Sequence, residues 1–188
     1  MAENKVLFGL KNVHYAVLTE TVSQGVPSYS WSTPVAVPGA VALSLDAEGD
    51  TNTFYADNTA YYVSVTNNGY SGDLEMARFP DSMLEDIWGY ELNSADKVLV
   101  EKNDVEFKSF ALLFQIDGDQ NNDYYVLYNC KGTRPAVGGS TTEDSKTPQT
   151  KSSTITASPL ADGRTMARTT SETTSSVKSG WFSAVWTA

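Results

Sequence analysis

Hydrophobic and polar positions alternate with a period of two along most of this chain. That is the mark of strands whose two faces meet different surroundings. Over residues 12–20, Val13, Tyr15 and Val17 fall on one side and His14, Ala16 and Leu18 on the other. Residues 21–34 interrupt the pattern with Gly25, Pro27, Pro34 and several serines, and read as a long polar loop that carries Tyr29 and Trp31. Over 35–48, Val35, Val37, Val41, Leu43 and Leu45 share one face, and Ala36, Ala40, Ala42, Ser44, Asp46 and Glu48 the other. Pro38 and Gly39 predict a bend or bulge within it. Strands are expected near 52–57, 61–66 and 70–78, with Asn67-Asn68-Gly69 as a hairpin turn signal.

One helix stands out, over 81–88. Pro80 precedes it, Ser82 and Glu85 have the spacing of a capping box, and Gly89 ends it. Met83, Leu84, Ile87 and Trp88 form its apolar stripe. Strands are expected again at 97–101 and 107–117. Phe107, Phe110, Leu112, Leu113, Phe114 and Ile116 make the second apolar on both faces, so it is either central in the core or covered by a neighbouring subunit. After a polar turn at 117–123 comes a strand over 124–131. Residues 136–149 are rich in Gly, Ser and Thr and read as a mobile loop. Weak strands follow at 151–158 and 164–170. Val177, Trp181 and Val185, with Phe182 beside them, have helical spacing over 175–186, although Gly180 interrupts it. The expectation is one domain over 1–188, mainly β, an antiparallel sandwich or barrel-like fold with one flanking helix. It has an N-terminal arm at 1–11 and a C-terminal segment at 175–188.

Composition narrows the function. The chain has 188 residues, 40% of them hydrophobic and 11% aromatic, enough to bury a core. Lys and Arg number 13 against 23 Asp and Glu, a formal charge of −10. A surface this acidic repels phosphate backbones, which argues against sequence-reading nucleic-acid binding. Met-Ala-Glu opens the chain without a basic stretch and apolar core, so no signal peptide is expected, and folding in a cytoplasm is. Apolar runs are too short to span a bilayer.

Candidate chemistry is sparse. His14 is the single histidine, and no nucleophile motif accompanies it. Cys130 is the single cysteine, which excludes an intrachain disulfide and points to a buried thiol. One His and one Cys do not make a zinc site. Asp117, Asp119, Asn121 and Asp123 begin with the spacing of a calcium loop. Asn122 then stands where glycine is needed and Tyr128 where glutamate is, so a solvated hairpin turn is the better reading. Glu85, Asp86 and Glu91 suggest paired acids, but Glu85 reads as the helix cap and no carboxylate is indicated opposite it. No enzyme activity, cofactor or metal is expected. Aromatics in the polar loop and near the end, Trp31, Trp181, Phe182 and Trp186, either pack on the domain itself or dock on another subunit.

The order of segments resembles the major tail proteins of long-tailed siphovirus bacteriophages, the group common in phages of Gram-positive bacteria. NVHYAVLTE at 12–20 looks like that family's first strand. STPVAVPGAVALSLDAEGDTNTFYADN at 32–58 matches its proline-marked, alanine-rich strand running to an acidic turn and a Phe-Tyr-Ala-Asp strand. ARFPDSMLEDIWGYEL at 77–92 looks like its strand-to-helix segment, and VLYNCKGTRP at 126–135 and PLADGRTMARTTSETT at 159–174 like its later strands. WFSAV at 181–185 is similar to its usual ending. No single motif is decisive, but six occur in order over nearly the whole chain.

The resemblance implies a tail-tube fold of two packed antiparallel sheets and a flanking helix. It implies six-subunit rings stacked into a hollow tube in the virion, assembled in the host cytoplasm. DNA passes through without specific binding, and a tape-measure protein, a tail terminator and distal tail proteins are the partners. No catalytic residue is carried over. Candidates for subunit and ring-stacking contacts are Tyr29, Trp31, Phe110, Phe114, Trp181, Phe182 and Trp186, with the 21–34 loop and both termini as segments that order on stacking. A ring would carry about −60 formal charges. Asp46, Glu48, Asp73 and Glu75, on polar strand faces, are candidates to line the channel; the other reading puts them outside as solubilising charges. The rival function is an immunoglobulin-like or lectin-like β binding module on the virion surface.

Overall fold

The computed structural model describes residues 3–141 and 148–187. In chain order the elements are β1 (Leu7–Ser23), β2 (Val26–Trp31), β3 (Val35–Ala36), β4 (Ala40–Glu48), β5 (Thr51–Ala56), β6 (Thr59–Val65) and β7 (Gly69–Met76). Then come α1 (Asp81–Trp88), β8 (Glu91–Leu92), β9 (Leu99–Val100), β10 (Phe110–Gly118), β11 (Asn122–Gly132), β12 (Lys151–Ala157), β13 (Met166–Arg168) and α2 (Ser175–Gly180). The protein is mainly β and antiparallel, a sandwich-like fold flanked by α1.

One large sheet runs β2-β1-β10-β11-β12-β7-β4, with β3 added to β1 and β13 to β11. The sheet folds over on itself. Leu74 and Met76 of β7 and Ile155 and Ala157 of β12 thereby pack against Tyr15, Phe110, Leu112 and Leu127 of β1, β10 and β11. The apolar stripe of α1 closes this first core with Met83, Ile87 and Trp88, all fully buried, and Leu84 half-buried beside them. The helix is fastened as well as packed. The Trp88 indole donates to the Gly132 carbonyl at 3.0 Å, and the Tyr15 hydroxyl donates to Asp86 Oδ2 at 2.8 Å.

The reverse face of β1, β10 and β11 carries a second core of Ala16, Ala111, Leu113, Val126, Tyr128, Leu160 and Trp181. The two-sided apolar strand is therefore central, with both faces covered by its own chain. The phase of β1 is as read: Val13, Tyr15 and Val17 meet the first core, while Ala16 and Leu18 meet the second.

Several expectations are corrected. Residues 21–34 are not a loop over most of their length, because β1 continues to Ser23 and turns through Gln24 and Gly25 into β2. Both turn residues have positive φ, 52° and 80°, the twist a two-residue hairpin needs. Pro27 is tolerated because β2 is the outermost strand, where a missing N–H leaves no ladder bond unmade. The N-terminal arm at 1–11 is strand from Leu7 onward, with Leu7 opposite Gly118 and Leu10 opposite Ile116; residues 1 and 2 lie outside the described residues. In the 35–48 segment Val37 is buried, but Val41 is not. A bulge between Ala40 and Ala42 shifts the phase and turns Val41 outward.

Asn67-Asn68-Gly69 does not make a hairpin between β6 and β7. The tight turn is Asp57-Asn58, both at positive φ, and it joins β5 to β6. The capping box is absent: Pro80 is the N-cap, which places Ser82 inside the first turn, and no side chain caps the helix. The C-terminal helix stops at Gly180, and Trp181 to Ser183 continue as turn. Of the loop expected over 136–149, residues 142–147 lie outside the described residues.

Trp88 ties helix, first core and β11 together by packing and by one buried hydrogen bond. Trp88→Ala is expected to cost about 3–5 kcal/mol, the range for emptying a buried large aromatic site. Urea unfolding followed by far-UV circular dichroism measures it.

Candidate functional site

The anchor aromatics expected to meet a neighbour are largely covered by the chain itself. Phe110 and Phe114 lie in the first core, and the Phe114 ring stacks on Tyr125 at 5.1 Å. Trp181 is 3% exposed in the second core, and its indole donates to the Tyr125 carbonyl at 3.3 Å. Trp31 is half-buried and donates to the Tyr128 carbonyl at 3.0 Å, with the Arg164 guanidinium 5.9 Å above its ring. Tyr29 accepts a hydrogen bond from the Ala161 amide at 3.1 Å. Phe182 stacks on His14 at 4.6 Å. Trp186 stacks on Trp181 at 6.3 Å and stays 38% exposed. Of the two readings left open for these residues, self-packing describes the isolated chain, and Trp186 alone keeps a substantial free face.

The exposed apolar surface lies elsewhere. β5 and β6 pair only with each other, as a separate two-stranded arm inserted between β4 and β7. Its base is tied to the sheet. The Thr66 amide donates to the Asp50 carbonyl at 2.9 Å, and the Asn68 amide to the Glu48 carbonyl at 2.8 Å. Gly49 allows this approach, since a Cβ there would fall on the Thr66 carbonyl oxygen. Beyond the base, Phe54, Tyr55, Tyr61, Tyr62, Val63 and Val65 are all 52–73% exposed. Cross-strand pairing sets Phe54 beside Tyr62 on one face and Thr53 beside Val63 on the other, so both faces carry apolar groups. A two-stranded ribbon is marginal in water by itself. Large aromatics held out on one are a surface to be covered.

Asp46, Glu48, Asp73 and Glu75 do share a face. Ser44 lies opposite Asp73, Ala42 opposite Glu75 and Asp46 opposite Ser71, while Leu43 and Leu74 point to the core. Ser152, Thr154 and Thr156 of β12 extend this outward face, which holds no large apolar side chain on β7 or β12. The Thr154 hydroxyl donates to Asp73 at 2.7 Å and the Thr150 hydroxyl donates to Glu75. The result is a polar, acidic sheet face.

The remaining candidates have structural duties. Asp86 holds Tyr15, whose hydroxyl is pushed up to about 12 mainly by burial. Glu91 pairs with Lys102 at 2.6 Å on the surface. In the 117–123 turn, Asp117 pairs with Lys11, and Asp119 accepts from the Lys5 amide at 2.8 Å. Those contacts hold both carboxyls below the usual range. The Asn4 side chain accepts from the Gln120 and Asn121 amides, so the turn is braced by protein groups. Among the described residues no cluster of His, Cys, Asp or Glu could hold a metal ion, and no helix is long and apolar enough to cross a membrane.

The arm escaped the sequence reading although its signal was present: FYADNTAYYV places aromatics on both sides of a two-residue turn. Strand positions were legible, but their lack of a third strand was not. The class these features define is a mainly β, antiparallel sandwich protein with a projecting apolar arm and an acidic face. No family model and no curated protein matches the chain.

Cys130 is fully buried, and burial pushes its thiol up to about 12. The native protein is expected to leave this thiol unlabelled by a thiolate-specific reagent through pH 9, and to release one equivalent on denaturation. Colorimetric thiol titration with and without denaturant checks this.

Proposed function

We propose that this chain is a structural virion protein, a tail-tube subunit that assembles into stacked hexameric rings and forms the channel through which phage DNA leaves. The observation that carries the reading is the β5–β6 arm. It presents four aromatics and two valines to solvent on a ribbon tied to the sheet only at its base. Burial of each such side chain in a contact is worth roughly 1.5–3 kcal/mol. An isolated domain gains nothing from projecting them, whereas a repeated contact between copies uses every one. Absence of a catalytic constellation on the page agrees with a building block, and the segment order of the tail-protein family agrees with this one.

The acidic sheet face suits the wall of such a channel. Small hydroxyl and carboxylate groups offer no apolar grip and repel phosphate, so DNA slides past without sticking. The face of β4, β7 and β12 is accordingly assigned to the lumen in this proposal. The tape-measure protein would occupy the channel before ejection, and tail terminator and distal tail proteins would cap the ends.

Two experiments test the reading. Concentrated wild-type protein is expected to give rings or filaments in negative stain. The triple variant Phe54→Ser, Tyr61→Ser, Tyr62→Ser is expected to stay monomeric while its unfolding free energy changes by only about 0.5 kcal/mol per site, as for surface positions. A wild-type protein that remains monomeric, even when seeded, refutes the proposal; one that instead binds host carbohydrate as a monomer moves the choice to the binding module. Separately, Lys at 46, 48, 73 and 75 is expected to leave assembly intact and to make tubes retain DNA at low salt. Assembled tubes of this variant that pass DNA as freely as wild type count against the lumen assignment.

A further inference from the structure

The sandwich is open at one end. Between β4 and β7 on one side and β1, β10, β11 and β13 on the other lies an apolar groove of about 390 Å³. Leu45, Tyr70, Ile116 and Tyr125 form its walls and are continuous with the first core, while Phe8 and Met166 form its lips, 68% and 36% exposed. One chain thus carries an unfilled apolar groove and an uncovered apolar arm.

Resting on the assembly reading above, we propose that this groove is the receptor for the β5–β6 arm of a second copy. Area supports this occupant. Aromatic side chains bury roughly 150–250 Å² each, so covering the exposed two-thirds of four of them removes on the order of 400–650 Å² from water. A standard interface takes about 800 Å² from each partner, and Val63, Val65 and the arm backbone supply the balance. Charge supports it too. From Gly49 to Asn68 the arm contains Asp50 and Asp57 and no Lys or Arg. Arg168, exposed, lies two residues from Met166 on β13, and Lys5, exposed, three residues before Phe8. The acidic tip at Asp57 thus has cations near the apolar lip to meet. Arm and groove are different surfaces, so the contact is heterologous: each copy gives an arm and receives one, and the series continues until it closes or is capped.

Cross-linking of full-length protein under assembly conditions tests the pairing. Tyr61→Cys is made in one tagged copy and Phe8→Cys in another, both at exposed positions, with Cys130 silent in the core. Mild oxidation of the mixture is expected to give a disulfide-linked pair joining the two tags, and the double variant a ladder of covalent oligomers on non-reducing gels. The exposed substitution Phe8→Asp is expected to keep the circular dichroism of the monomer and to raise the concentration needed for assembly at least tenfold. If sedimentation shows particles while Tyr61→Cys links only to itself or to a control at Val41→Cys, the groove assignment is wrong and the assembly reading stands. If the protein never leaves the monomer, both fall.

Discussion

Strand β10 has no polar face, and the rest of the molecule follows from covering both of its sides. Phe110, Leu112 and Phe114 look one way, and Ala111 and Leu113 the other. A single flat antiparallel sheet would leave one side wet. The chain folds its sheet over on one side, with α1 as plug, and lays β2 and the C-terminal segment on the other. Neighbouring β11 gathers these layers. Its carbonyls at Tyr125, Tyr128 and Gly132 accept hydrogen bonds from the indoles of Trp181, Trp31 and Trp88. Each buried indole N–H is thereby satisfied, and each covering layer is fixed in register as well as packed.

That internal economy explains which aromatics remain for contact with other molecules. The second core draws in Trp31, Trp181 and Phe182, and their covering role is inside the chain. The arm lies beyond the reach of either core, since it leaves the sheet past Glu48 and returns at Gly69. Its side chains are of the same type as those in the cores, but no layer of this chain lies over them. An apolar arm, an apolar groove and a polar acidic face on one small β domain form a consistent set for a subunit that repeats: two surfaces to join copies and one to leave bare.

Polar elements divide in the same way. Carboxylates expected to do chemistry serve as braces. Asp86 anchors α1 to β1, Glu91 pairs on the surface, and the 117–123 turn is held by Asn4 and the Lys5 amide. The four acids on β4 and β7 differ in lying side by side on one exposed face, where their charges add.

Much of this was legible in local pattern. Period-two alternation located nearly every strand, Met83, Leu84, Ile87 and Trp88 announced α1 at its observed bounds, and the two-sided apolar run marked the central strand. Those features depend on backbone geometry within a few residues, which sequence carries directly. Errors arose where a local sign had two outcomes. Val26-Pro27-Ser28-Tyr29-Ser30-Trp31 alternates, but its proline and serines resemble a loop until the strand is seen at the sheet's edge. Asn67-Asn68-Gly69 signals a turn as strongly as Asp57-Asn58, and only pairing distinguishes them. Which aromatics are covered, which strands lack a third partner and where the sandwich stays open are properties of contacts between residues far apart in the chain. Periodicity tells a side chain which way to face; tertiary structure alone decides what it meets there.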